Sequence, residues 1–107
     1  LLSMATGHTT GTTERVGQTN TWVKNFLSLP PEKAPGSIFC YNSGATFMLS
    51  AILQKVTGMK LVDYLQPRLF EPLSMSQARW DETPQGMSLG FSGFYTTTES
   101  VAKLGQL

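Results

Sequence analysis

The stretch that most constrains this chain is "ATFMLSAILQKV", residues 45–56. In it Ala45, Phe47, Met48, Leu49, Ala51, Ile52, Leu53 and Val56 cover most of a helical circumference. Thr46, Ser50, Gln54 and Lys55 are its main polar positions. A helix apolar on so many sides should be largely buried, so the remaining chain has to supply neighbours around it. Asn42 or Ser43 can cap its start through a side-chain oxygen, Gly58 can close it in the left-handed conformation, and Lys55 suits the negative end of its dipole.

The flanking residues predict those neighbours. "LLSMATG", residues 1–7, reads as the last turn or two of a helix closed by Gly7. Residues 8–18, "HTTGTTERVGQ", have no apolar period and read as an exposed loop. Trp22, Val23, Phe26 and Leu27 form one face of a short helix with Thr19 or Asn20 as its cap, ended by Pro30 and Pro31. Pro35-Gly36 marks a turn, and "SIFC" is an extended segment leading to the central helix.

Beyond Gly58, "LVDYLQPRLFEPL" predicts a second helix burying Leu61, Tyr64, Leu65, Leu69 and Phe70, which Pro67 should bend or divide. "SQARW" is a candidate short strand and "DETPQG" a polar loop. Thr96 and Glu99 have the spacing of a capping box, which opens a final helix on Val101 and Leu104. The pattern as a whole is mainly α, with short strands and long loops.

Composition excludes several functions. At 107 residues with 40% hydrophobic content the chain can bury one small core. Eight basic and seven acidic residues are scattered, without the concentrated positive face that nucleic-acid binding needs. Cys40 stands alone and His8 is the single histidine, so neither an internal disulfide nor a Cys and His zinc cluster can form, and no metal or cofactor is expected. The apolar stretches break well short of a bilayer span, and "LLSMATGHTT" lacks the pattern of a signal peptide. The chain starts without Met in an apolar segment and stops inside a helical pattern, so residues 1–107 read as a single partial domain.

Tyr41 is the residue with chemical interest. A phenol ordinarily holds its proton until about pH 10, so it can act as a base near neutrality only where cations and donors stabilise the phenolate. The unpaired N–H groups of a helix N-terminus supply part of that field, and Ser43 two residues on can donate or accept a hydrogen bond. On these residues alone a packing aromatic beside a capping Asn or Ser is the favoured reading.

Four segments shift that weight. "LLSMATGH", "PGSIFCYNSGATFMLSAILQKVTG", "DYLQPRLFEPLSM" and "GFSGFYTTTESVAKLGQL" occur in this order and span nearly the whole chain. They resemble segments of the serine β-lactamase and penicillin-binding family, in particular the group of class C β-lactamases, D-alanyl-D-alanine carboxypeptidases and related esterases. The resemblance implies the helical subdomain of that family's α/β fold. It further implies an acyl-serine mechanism on a β-lactam, a D-Ala peptide or an ester, and an exported, periplasmic or extracellular parent.

By position in the resemblance, Tyr41 aligns with the tyrosine of the YxN motif, general base for the nucleophile and then acid for the leaving group. Ser43 stands where the family has Asn. It offers one short hydroxyl in place of an amide, which favours a peptidase-like or esterase-like relative over a rapid β-lactamase. No serine of the chain is read as the SxxK nucleophile, which the family carries ahead of "LLSMATGH", and no KTG or HxG follows Tyr41. Turnover is therefore expected of an intact parent acting on a small-molecule or peptide substrate, and not of these residues alone.

The alternative is a non-catalytic helical module for binding or assembly, in which Tyr41 is structural. Helices meant for a sheet that is absent would expose apolar faces, so self-association is expected. The other candidates receive plain readings. His8 is a surface or packing residue, and Trp22, Trp80, Phe91, Phe94 and Tyr95 belong to the core. Glu14, Asp81 and Glu82 are solvated charges, and Cys40 is buried and inert.

Overall fold

The computed structural model describes residues 1–107. Its longest element is α3, Ser43–Thr57, where the apolar run predicts it. Asn42 caps α3, its side chain accepting the Ala45 N–H at 3.3 Å. Gly58 closes it at φ 70, a left-handed value that glycine reaches without steric cost.

Ahead of α3 lie α1, Thr13–Val16, and α2, Trp22–Leu27. After it come α4, Leu61–Leu65, a π-helical stretch over Gln66–Phe70, strands β1, Arg79–Trp80, and β2, Phe94–Tyr95, and finally α5, Thr98–Gly105. The expected division at Pro67 takes the form of that π turn. Proline has no N–H to give, and the ladder widens so that the Glu71 N–H donates to the Gln66 carbonyl at 2.9 Å. The strands pair antiparallel, Arg79 opposite Tyr95 and Trp80 opposite Phe94. No helix is long and apolar enough to cross a membrane.

Two apolar clusters result. The first joins Val16, Phe26, Ala45, Phe47, Met48 and Ala51, with Trp22 edge-on to Phe47 at 5.4 Å between ring centroids. The second gathers around Phe70, which stacks on Phe94 at 5.8 Å, with Trp80 tilted against Phe94 at 4.8 Å. Spread over two clusters, the chain is elongated, 44 × 28 × 23 Å. Its radius of gyration is 15.2 Å, whereas a compact domain of this length has about 13 Å.

Several expectations fail for identifiable reasons. Residues 1–7 form no helix: the carbonyls of Met4, Ala5 and Gly7 accept the N–H groups of Cys40, Gly36 and Lys33, so a neighbouring segment takes the place of an internal ladder. The expected exposed loop at 8–18 contains α1 and buries His8, Thr12 and Val16, each held by contacts distant in sequence. The central helix is buried over its first half only, since Ile52 and Val56 lie exposed.

Neither Thr19 nor Asn20 caps α2, whose N-cap is Thr21 without a side-chain bond. The cap of α5 sits one residue later than the capping-box reading. Thr97 accepts the Ser100 N–H, and it is Ser100 that is buried while Val101 faces solvent.

Candidate active site

Tyr41 immediately precedes the cap of α3 and is 70% exposed. At that exposure its ring takes no part in the first apolar cluster. Its phenol makes no hydrogen bond within the protein, whereas the backbone around it is held on both sides. The Cys40 N–H donates to the Met4 carbonyl at 2.9 Å. After the tyrosine, Asn42 is fully buried, and its Oδ1 accepts three bonds: the Thr12 hydroxyl at 2.7 Å, the Thr12 N–H at 3.3 Å and the Ala45 N–H at 3.3 Å.

Three donors on one oxygen fix the orientation of the amide and leave Asn42 Nδ2 buried without a partner. A buried orphan donor costs about 1–3 kcal/mol, which the three accepted bonds have to offset. Asn42 therefore serves the fold, its side chain buried between Thr12 and the first turn of α3. Gly44 completes the junction: a Cβ there would come within 2.1 Å of Thr12 Oγ1, so only glycine lets α1 and α3 approach this closely.

Ser43 is the first residue of α3, half-buried, and its hydroxyl makes no hydrogen bond within the chain. The structure thus brings Tyr41 and Ser43 to one helix N-terminus, where backbone N–H groups carry partial positive charge. Neither residue lines a concavity. The largest is an open groove of about 740 Å³ walled by Val23, Leu27, Met48, Ile52, Val56 and Met87. Two smaller clefts lie beside Arg79.

One SxxK spacing escapes the sequence reading: Ser100-Val101-Ala102-Lys103. The structure gives both residues other tasks. Ser100 is buried in the cap of α5, its hydroxyl 2.9 Å from Thr97 Oγ1 and accepting the Ser76 N–H at 3.3 Å. Lys103 donates to the Ser74 carbonyl and pairs with Glu99, both at 2.8 Å. That bond and charge hold the Glu99 carboxyl below its usual range. A buried hydroxyl in a cap, with its lysine turned to a carboxylate, is not poised as a nucleophile.

The remaining candidates are also placed. His8 is a packing residue, buried edge-on against Phe26, with Nδ1 2.9 Å from Thr6 Oγ1 and Nε2 3.2 Å from the Leu29 carbonyl. Glu32, on the neighbouring turn, accepts the Thr9 N–H at 3.0 Å. Its carboxyl is held below the ordinary range by its own backbone N–H and then by that of Thr9, with smaller contributions from the charges of His8 and Arg15. Cys40 is half-buried and not buried as expected, because it lies on an extended segment. Asp81 and Glu82 are more than solvated charges: Asp81 pairs with Arg79 at 3.0 Å and accepts the Tyr95 hydroxyl at 3.1 Å, and Glu82 pairs with Lys60.

The chain is mainly helical with two short strands, as the four segments imply. The Beta-lactamase family model matches residues 1–105, and the chain belongs to that family, the serine β-lactamase and penicillin-binding group. It is a relative of serine hydrolases. Comparison with curated proteins gives no match.

Proposed function

We propose that residues 1–107 are the helical, tyrosine-bearing part of an acyl-serine hydrolase acting on a β-lactam, a D-Ala peptide or a small ester. The observation that carries this reading is Tyr41, 70% exposed in front of α3 while the backbone on both sides of it is bonded. In the reaction, the hydroxyl of an SxxK serine attacks the carbonyl carbon as Tyr41, with the lysine, takes its proton. That proton passes to the leaving nitrogen or oxygen as its bond to the carbonyl breaks, and water then releases the acyl group. Ser43, two residues after Tyr41 at the start of α3, offers a hydroxyl in the place of an amide.

No SxxK precedes Tyr41 and no KTG or HxG follows it, so these 107 residues alone have no turnover. Hydrolysis of a chromogenic cephalosporin or a p-nitrophenyl ester by the pure chain, lost in Tyr41→Phe, would contradict this reading. The parent is exported, and the groove beside Ile52 and Val56 leads the isolated chain to self-associate.

The groove also favours a second reading, a non-catalytic helical module for binding or assembly. It is apolar on nearly every side, while Tyr41 and Ser43 line no concavity. Sequencing the flanking gene separates the two: SxxK upstream with KTG or HxG downstream supports the hydrolase, and their absence supports the module.

A further inference from the structure

We propose that Thr12 and Met4 are positioning residues for Tyr41, fixing its place through the backbone while its ring stays free for the reaction. The inference rests on the reading of Tyr41 as a proton carrier and adds the residues that act through it. Nothing holds the phenol directly, since the ring is exposed and its hydroxyl is unbonded. A proton carrier must nevertheless sit within hydrogen-bond reach of its partner, so its position has to be set elsewhere.

Two contacts flank it in sequence. On one side the Met4 carbonyl accepts the Cys40 N–H at 2.9 Å, with Met4 in the left-handed region at φ 53, uncommon for a residue with a side chain. On the other, Thr12 gives its hydroxyl at 2.7 Å and its N–H at 3.3 Å to Asn42, the residue after Tyr41. Two more backbone bonds tie the same segments together without forming a ladder, from the Gly36 N–H to the Ala5 carbonyl at 2.8 Å and from the Lys33 N–H to the Gly7 carbonyl at 2.9 Å. Gly11 lies against the Tyr41 carbonyl, where an added Cβ would sit 3.8 Å from the oxygen. A shift of residues 4–12 therefore moves Tyr41 without touching its ring.

The test uses the whole chain labelled with ¹³Cζ-tyrosine, whose three tyrosine signals are assigned by Phe substitution. Thr12→Val removes the hydroxyl donor and keeps the shape; Thr12→Ser keeps the donor. The Tyr41 signal is expected to shift or broaden in Thr12→Val and to return to its wild-type position in Thr12→Ser, with Tyr64 and Tyr95 unmoved in both.

Three unchanged signals in Thr12→Val, or three that move together in a folded chain, would overturn the proposal. If Thr12→Val unfolds, ¹⁵N relaxation of the unmodified chain decides. Order parameters at 40–42 of about 0.85, as in rigid backbone, support the proposal, and values below about 0.6 overturn it. Neither readout involves hydrolysis, so failure here leaves the role of Tyr41 standing. Loss of that role would appear instead as acylation indifferent to Tyr41→Phe.

Discussion

The Thr12 hydroxyl donates to Asn42 Oδ1 at 2.7 Å, joining the start of α1 to the cap of α3 across 30 positions of sequence. Both side chains are fully buried. Asn42→Ala removes the cap and this bond together and releases the orphaned Nδ2, so the losses are partly offset. A net cost of about 2 kcal/mol is expected, read as a lower urea midpoint at an unchanged m-value.

Gly7 and Gly36 form a matched pair, at φ 88 and φ 87. A Cβ on Gly7 would meet the Lys33 carbonyl oxygen at 2.2 Å, while one on Gly36 meets nothing within 4 Å. Gly36→Ala should cost about 1 kcal/mol for backbone conformation alone. Gly7→Ala should cost about 3 kcal/mol, because the clash with backbone adds to the same strain. Equal shifts of the urea midpoint would remove the steric part of the account.

α3 was the most legible element because its cues are local: a side-chain cap at Asn42, an apolar period and a closing Gly58 all lie within the helix or beside it. The half-exposure of α3 was not legible, since Ile52 and Val56 are apolar in sequence whether or not a partner covers them. Local signals in residues 1–18 mislead because what orders them lies elsewhere, at Lys33, Gly36, Cys40 and Asn42. The capping box at Thr96 and Glu99 was displaced one residue to Thr97 and Ser100, two spellings that sequence offers equally. The place of Tyr41 before a helix could be read from its neighbours; its free phenol and the Thr12 contact behind it could not.

Glu32 gives a pH dependence of defined sign. Its carboxyl is held below its ordinary value of 4.5, chiefly by backbone N–H donors. The stability it contributes is therefore complete above that value and is lost as pH falls through the lower folded one. Glu32→Gln should flatten the decline of Tm below about pH 4.5 relative to the unmodified chain. A parallel decline in both proteins would show that the Thr9 bond does not couple to folding.

The groove at Val23, Leu27, Ile52 and Val56 leaves apolar surface in water. Light scattering of the isolated chain should give a mass that rises with concentration, and Val56→Glu should restore the mass of one chain without changing the circular dichroism. A concentration-independent monomer in the unmodified protein would contradict the expectation.

The account turns on Tyr41 as a proton carrier. The most direct measurement is covalent labelling by a fluorescent penicillin of the gene product that contains these residues together with its flanking sequence, followed by intact mass and by rate. The expected result is a single acyl adduct on a serine outside residues 1–107, formed at least about 100-fold more slowly in Tyr41→Phe, as loss of a general base requires. An adduct that forms at the same rate in Tyr41→Phe, or no adduct at all, would contradict it.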